Sequence, residues 1–137
     1  MEGRVTGGCG CGTVRFEVTE PFVSASYCHC TRCQRRTGTA ASANARAAPG
    51  SVRVTQGEDE LQVWAPDGGF EKLFCGRCGS ALFSRPPGAD DYLGVRLGAV
   101  DGNPGIRPQW HQFTAYAASW QEFPDDGLPR YTEARPS

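Results

Sequence analysis

All seven cysteines of the chain fall into three short clusters, a pattern typical of metal ligands. The clusters are Cys9-Gly-Cys11, Cys28-His-Cys30-Thr-Arg-Cys33 and Cys75-Gly-Arg-Cys78. A disulfide framework would need an even number of cysteines and an oxidising compartment. The number here is odd, and the N-terminal residues contain no apolar signal segment. We therefore expect the thiols to bind zinc, with disulfides or buried free thiols as the weaker alternative.

Four of these cysteines can form one closed zinc site. Structural zinc takes four ligands, with Zn–S bonds of about 2.3 Å. Two intervening residues let Cys75 and Cys78 turn their sulfur atoms toward one metal ion. Alternate residues of an extended segment point the same way, so Cys9 and Cys11 can bind the same ion. The sequence therefore predicts a structural zinc site with four cysteine ligands that joins the N-terminal region to the middle of the chain.

The remaining cluster, Cys28, Cys30 and Cys33, has one ligand fewer than a closed site requires. Three protein ligands and an open position form the pattern of a catalytic zinc site. His29 is a candidate fourth ligand, but it lies between two of the cysteines, so its side chain is expected to point away. A second closed structural site is the alternative. Spacing alone also permits this cluster to share ligands with either of the other pairs.

Basic residues beside the open cluster are candidates for substrate binding. Arg32, Arg35 and Arg36 could hold a carboxylate, because a guanidinium group donates two parallel hydrogen bonds to that group. A solvated helix face is the simpler interpretation of the same three residues. His111, in the segment RPQWHQF, is either a packing residue or a fourth substrate-binding candidate.

The composition favours short strands and turns, since 137 residues include 18 glycines and 10 prolines. The length suits one domain. One short helix is predicted to begin at Thr31, which can cap it, with Gln34 in the capping-box position. Gly38 should end this helix after two turns at most.

Several segments have the pattern of strands. Val14, Phe16 and Val18 alternate with charged residues, as in a half-buried strand. The residues on either side of the Cys75 pair predict a hairpin with the ligands at its tip. Tyr92–Val100 and Phe113–Ala117 are further predicted strands, whereas residues 39–50 fit either a strand or a loop.

Net charge and hydropathy exclude some classes of function. The formal net charge is -1 at pH 7, which disfavours a nucleic-acid-binding protein. No apolar run approaches the roughly 20 residues that a membrane helix needs. With no signal segment either, the sequence predicts a cytoplasmic protein without a membrane partner.

Four segments together resemble the glutathione-dependent formaldehyde-activating enzyme family, which also includes centromere protein V. They are GGCGCGTVRFEV, YCHCTRCQRRTG, FCGRCGSALF and LGAVDGNPGIRPQWHQFTAYAASWQEFPDDGLPRY, in the order expected of that family. The resemblance implies a mainly β fold of coiled antiparallel sheets around zinc sites, with at most one or two short helices. It implies a single zinc-binding domain over residues 1–137, with a core of about 5–131.

The resemblance also implies a function. Cys9, Cys11, Cys75 and Cys78 match the family's structural ligands, and Cys28, Cys30 and Cys33 match its catalytic site, giving about two zinc ions per chain. The expected activity is that of a carbon–sulfur lyase resembling S-(hydroxymethyl)glutathione synthase, which joins formaldehyde to the thiol glutathione. The alternative is a non-enzymatic zinc-binding module for a protein or nucleic-acid partner, because a shared fold does not fix a function.

Overall fold

The computed structural model describes residues 4–136, which form two open β-sheets and one α-helix. The strands are β1 (Val5–Gly8), β2 (Arg15–Val18), β3 (Ser24–Cys28), β4 (Ser42–Arg46), β5 (Val52–Gln56), β6 (Leu61–Trp64), β7 (Glu71–Cys75), β8 (Ala81–Arg85), β9 (Gly94–Arg96) and β10 (His111–Gln112). The helix is α1 (Thr31–Thr37), and three short 3-10 turns are Glu58–Glu60, Leu97–Ala99 and Thr114–Tyr116. These elements confirm the predicted mainly β fold with one short helix. Within residues 4–136, no helix has the length and apolar character needed to cross a membrane.

The strands divide into a small and a large sheet. The small sheet has the order β1-β2-β5, and the large one has the order β10-β3-β4-β9-β8-β7-β6. Neighbouring strands are antiparallel except β10, which lies parallel to β3. The predicted hairpin at the Cys75 pair is confirmed as β7 and β8.

The two sheets meet in an apolar core. Val14, Phe16 and Val18 are at most 1% exposed, which confirms the half-buried strand predicted from their alternation. The Phe16 ring packs edge-on against Phe83 of the large sheet, with ring centroids 5.0 Å apart. Burial of these large side chains holds the small sheet against the large one.

The large sheet has one apolar face and one polar face. The apolar face includes a row of residues paired directly across five strands: Ala25, Ala45, Val95, Phe83 and Leu73. Because side chains alternate along a strand, the residues next to this row point to the opposite face. The pairs on that polar face include Cys28 with Ser42, Asn44 with Arg96, and Lys72 with Ser84.

Helix α1 begins at Thr31, as predicted, but its N-cap lies one residue earlier than predicted. Cys30, not Thr31, is the N-cap residue, and its sulfur accepts a hydrogen bond from the Cys33 backbone N–H at 3.3 Å. The predicted capping box is therefore wrong. Gln34 instead donates to two backbone carbonyl oxygens, those of His29 and Tyr116. Gly38 ends the helix in a left-handed conformation, as predicted.

Two predicted strands are shorter or shifted. Of Tyr92–Val100, only β9 is a strand, because the chain then turns into the 3-10 segment Leu97–Ala99. Phe113–Ala117 is not a strand, since Phe113 has a φ angle of 57° and a 3-10 turn follows it. The last strand, β10, precedes this point. The undecided segment 39–50 contains β4.

Gly57, which follows β5, is a position where the close backbone leading into β2 of the same sheet excludes a side chain. Its φ angle is 74°, and a Cβ atom there would clash with the backbone of Thr13. We expect Gly57→Ala to lower the free energy of unfolding by more than about 2 kcal/mol, through backbone strain and the clash. Gly68→Ala is the matched control: its φ angle is 71° but its Cβ would meet nothing within 4 Å. Equal losses for both variants in urea-induced unfolding would contradict the steric argument.

Candidate metal centres

One four-cysteine cluster lies where the two sheets come together. Cys9 and Cys11 lie in the connection between β1 and β2. Cys75 ends β7, and Cys78 lies in the turn that leads to β8. All four Sγ atoms lie within 4.8 Å of one another, including 3.6 Å from Cys9 to Cys11 and 4.0 Å from Cys11 to Cys75. A tetrahedral zinc ion with the usual Zn–S bonds requires sulfur atoms about 3.8 Å apart. The donor set and its spacing therefore fit a metal ion.

Backbone N–H groups point at the sulfur atoms of this cluster. Val14 donates to Cys9 Sγ at 3.2 Å, and Arg77 donates to Cys75 Sγ at 3.4 Å. Such bonds stabilise thiolates. Burial nevertheless raises the pKa of Cys75 to about 11, whereas hydrogen bonds from Ser80 lower the pKa of Cys78 to about 5. A bound cation would remove this conflict, because it keeps all four thiols ionised.

The three-cysteine cluster is assembled by the end of β3 and the start of α1. Cys28 ends the strand, Cys30 caps the helix, and Cys33 lies in its first turn. Their Sγ atoms lie within 4.8 Å of one another. Cys28 and Cys33 are 6% and 9% exposed, and Cys30 is more accessible. The structure thus brings these three predicted ligands together, and neither of the other cysteine pairs contributes a sulfur atom to the group.

The protonation of this cluster also fits a metal ion. Hydrogen bonds from the Cys28 and Cys30 thiols hold the pKa of Cys33 far below its ordinary value, and Ser42 and Arg96 add to the effect. Hydrogen bonds with Cys30 and Cys33, together with burial, raise the pKa of Cys28. A thiolate at Cys33 is therefore favoured at the expense of one at Cys28. A divalent cation can be bound by all three sulfur atoms as thiolates.

The two histidines form a buried network beside the three-cysteine cluster. His29 lies outside the group of three sulfur atoms, and its Nε2 atom is 2.8 Å from Nδ1 of His111. Nε2 of His111 is 2.8 Å from a carboxylate oxygen of Asp126. Since a carboxylate only accepts, His111 donates to Asp126 and accepts from His29. The same hydrogen bond to His111 holds the pKa of Asp126 below its ordinary value.

This network ties a C-terminal segment to the loop between two cysteines. The Phe123 ring stacks on His29 with centroids 4.8 Å apart, and the Arg130 guanidinium lies 4.2 Å from the centroid of the Phe123 ring. His111 is 1% exposed, so the structure places it in support of the loop that carries Cys28 and Cys30. Its direct contact with a substrate stays a prediction. Sequence reasoning missed Asp126 and Phe123, because neither lies near a cysteine in the chain.

The three arginines predicted as substrate-binding residues line one cleft. Its volume is about 520 Å³, and its walls also include Thr31 and the half-exposed Trp64. The Arg36 guanidinium lies 4.8 Å from the centroid of the Phe74 ring. Among residues 4–136, its buried Nε and Nη2 atoms have no hydrogen-bond partner. Burial lowers the pKa of Arg36, and the nearby charge of Arg96 lowers it further.

Two further cations beside the cysteines were missed from the sequence. Lys72 and Arg96 come from the polar face of the large sheet, and both lie within electrostatic range of Cys33. Arg96 donates a hydrogen bond to Asn44, which donates to Ser42 at 2.8 Å. The proximity of these residues depends on strand order, which local spacing does not reveal. The sequence pattern that could have indicated this polar face is the alternation of polar residues in β4.

The comparisons with known proteins identify the family. A sequence profile of the glutathione-dependent formaldehyde-activating enzyme family matches residues 4–116, so the chain belongs to that family. A curated Halomonas elongata protein, named for a glutathione-dependent formaldehyde-activating enzyme, is 26% identical over 103 residues. The match covers 71% of this chain and 66% of that relative, just under two thirds of its length.

A solved structure supports the fold. The crystal structure of a Rhodobacter sphaeroides protein aligns with a TM-score of 0.55 and 24% sequence identity. The alignment covers 92% of this chain and 98% of the other. The two chains therefore share an architecture that extends over nearly all of both.

The histidine network should contribute measurably to stability. His111→Phe keeps a ring of similar shape but removes the hydrogen-bond partner of His29. We expect it to lower the free energy of unfolding by about 1–3 kcal/mol, because a buried donor is left unsatisfied. Tyr116→Phe is the control, since it removes only an exposed hydroxyl bonded to Glu133 and should cost less than about 0.5 kcal/mol. Indistinguishable unfolding curves for the two variants would show that the network is dispensable.

Proposed function

We propose that the protein is a zinc-dependent enzyme that makes and breaks the carbon–sulfur bond of a thiol adduct. The expected reaction resembles that of S-(hydroxymethyl)glutathione synthase. The observation that carries this proposal is the position of the three-cysteine cluster, whose sulfur atoms lie within 4.8 Å and whose helix lines an arginine-rich cleft. Membership of the family supports a function related to glutathione.

The two cysteine clusters would have different roles. Cys9, Cys11, Cys75 and Cys78 would close a structural site between the sheets. Cys28, Cys30 and Cys33 would leave one position open for a ligand. Zinc bound there would supply the capacity to bind a thiol as its thiolate at neutral pH.

The cleft residues would bind and orient the thiol. Arg32, Arg35 and Arg36 present guanidinium groups that suit carboxylates, and glutathione carries two of them. Trp64 forms an apolar wall of the same cleft. Holding the thiol beside a small aldehyde converts an encounter of two molecules into a reaction of a bound pair.

The reaction that this arrangement serves is an addition. The thiol sulfur forms a bond to the carbonyl carbon of formaldehyde, and the C=O π electrons move to the oxygen. The thiol proton is released to solvent, and the oxygen takes up a proton from water. The product is a hydroxymethyl thioether, and the reverse reaction breaks the same carbon–sulfur bond without any oxidation.

Metal content tests the two-site arrangement. After dialysis, the purified chain should retain about two zinc ions, one for each cluster. Cys30→Ser should reduce this to about one while leaving the fold intact, and Cys75→Ser should lose the other ion and strongly destabilise the chain. Elemental analysis and thermal unfolding are the measurements. A single ion in the unmodified chain, or the same content in Cys30→Ser, would contradict the arrangement.

Adduct formation tests the activity itself. The zinc-loaded protein should accelerate formation of S-(hydroxymethyl)glutathione from formaldehyde and glutathione above the rate in buffer. Cys30→Ser should abolish the acceleration, because the open site loses a ligand. Tyr116→Phe removes only an exposed hydroxyl bonded to Glu133 and should retain it. NMR of the hydroxymethyl protons measures the rate. An unchanged rate for Cys30→Ser would refute the enzyme and favour the non-enzymatic zinc module.

A further inference from the structure

His29, which lies between two ligands of the three-cysteine cluster, is held by hydrogen bonds at its backbone and at its side chain. Its backbone N–H donates to the carbonyl oxygen of Gln112 at 3.0 Å. Its own carbonyl oxygen accepts a hydrogen bond from Nε2 of Gln34 at 2.7 Å. Nε2 of its ring lies 2.8 Å from Nδ1 of His111. The loop between the first two ligands is therefore fixed from several sides at one residue.

The contacts to the ring of His29 come from residues late in the chain. Phe123 stacks on this ring and packs edge-on against His111, with both centroid distances at 4.8 Å. Asp126 accepts the hydrogen bond from the far side of His111 at 2.8 Å. His29 and His111 are 4% and 1% exposed. Buried polar groups whose hydrogen bonds are satisfied rigidify their surroundings, so the ring of His29 has a fixed orientation.

The C-terminal turn that carries Phe123 and Asp126 holds its own shape. Nη2 of Arg130 donates to the carbonyl oxygen of Pro124 at 2.7 Å, and the same guanidinium lies over the Phe123 ring. The backbone N–H of Leu128 donates to the second carboxylate oxygen of Asp126 at 3.1 Å. Backbone hydrogen bonds of 2.9 Å join the chain after this turn to β10. The turn therefore presents its aromatic ring and its carboxylate to the histidines in a fixed arrangement.

We propose that Asp126 is a positioning residue for zinc at the three-cysteine cluster, acting through His111 and His29. Fixing His29 sets the direction of the sulfur atoms of Cys28 and Cys30, which lie on either side of it in the chain. Groups that orient metal ligands from outside the ligand set change metal affinity by about 10–100-fold. The inference rests on the zinc site of the proposed function and not on its reaction.

Zinc release tests the positioning role, because the four-cysteine cluster is built on other loops and is a reference within the same molecule. In an excess of a chromogenic chelator, the protein should release its two zinc ions in two phases. The phase that is missing in Cys30→Ser belongs to the three-cysteine cluster. Asp126→Ala should raise the rate constant of this phase by about tenfold and change the other less than about twofold. Asp126→Asn should have a smaller effect, because its amide oxygen can still accept from His111.

Asp125→Ala is the matched control, since it removes the same charge from the neighbouring exposed position. It should leave both rate constants unchanged. Phe123→Leu removes the stacking on His29 and should accelerate the same phase as Asp126→Ala, and it carries the test if Asp126→Ala does not fold. Thermal unfolding shows whether each variant is folded.

Cadmium NMR gives a second measurement that a general loss of stability would not reproduce. After replacement of zinc by cadmium, each cluster should give its own resonance. Asp126→Ala should shift the resonance of the three-cysteine cluster, because the directions of its sulfur atoms change, and leave the resonance of the four-cysteine cluster in place.

The outcomes separate the positioning role from the proposed reaction. Equally faster release from both clusters in Asp126→Ala would overturn the positioning role, because the change would then act on the whole chain. Unchanged release from the three-cysteine cluster, or equal acceleration in Asp125→Ala, would overturn it as well and leave the reaction standing. If Asp126→Ala accelerates that phase alone but the unmodified protein does not accelerate adduct formation, the reaction falls and the positioning role stands. If the three-cysteine cluster binds no zinc, both are refuted.

Discussion

The close approach of cysteine sulfur atoms is the constraint on which the other features of the structure depend. Sulfur atoms 3.6–4.0 Å apart cannot all be ionised without a compensating charge, and the protein supplies part of that charge itself. In the four-cysteine cluster, backbone N–H groups point at the sulfurs. In the three-cysteine cluster, side-chain cations gather around them.

The cations on the polar face of the large sheet also serve to compensate the closely spaced sulfur atoms. A sheet of this size normally buries one face and exposes the other to water. Here the second face carries Arg96 and Lys72 toward the cysteines, and α1 lies over one end of it. Cys28 lies on this face and Cys33 lies on α1. The three-cysteine cluster therefore joins the large sheet to the helix that covers it. The hydrogen bonds from His29 through His111 to Asp126 also support the loop that carries Cys28 and Cys30, and they connect this loop to the C-terminal segment.

Cysteine spacing together with the number of ligands favoured the grouping of sulfur atoms that the structure shows, because each cluster is local in the chain, but spacing alone left the other groupings open. Alternation predicted β2, and the segments on either side of the Cys75 pair predicted the hairpin. The helix cap was mispredicted because Thr31 is a good capping residue, whereas the Cys30 sulfur must turn toward the cluster and occupies that place. Arg96 and Asp126 could not be predicted, since their contacts depend on strand order and on the path of a tail without regular structure.

The four-cysteine cluster also bears on how the chain reaches this structure. Cys11 and Cys75 are separated by 64 positions, so their meeting closes a long loop. Loop closure of this kind has an entropic cost that precedes the gain from non-local strand pairing, and sheets built from distant segments fold slowly. An ion that captures the early and late cysteines would act as a reversible crosslink. Metal availability during synthesis would then set the rate at which the two sheets find each other, as well as the stability of the finished protein.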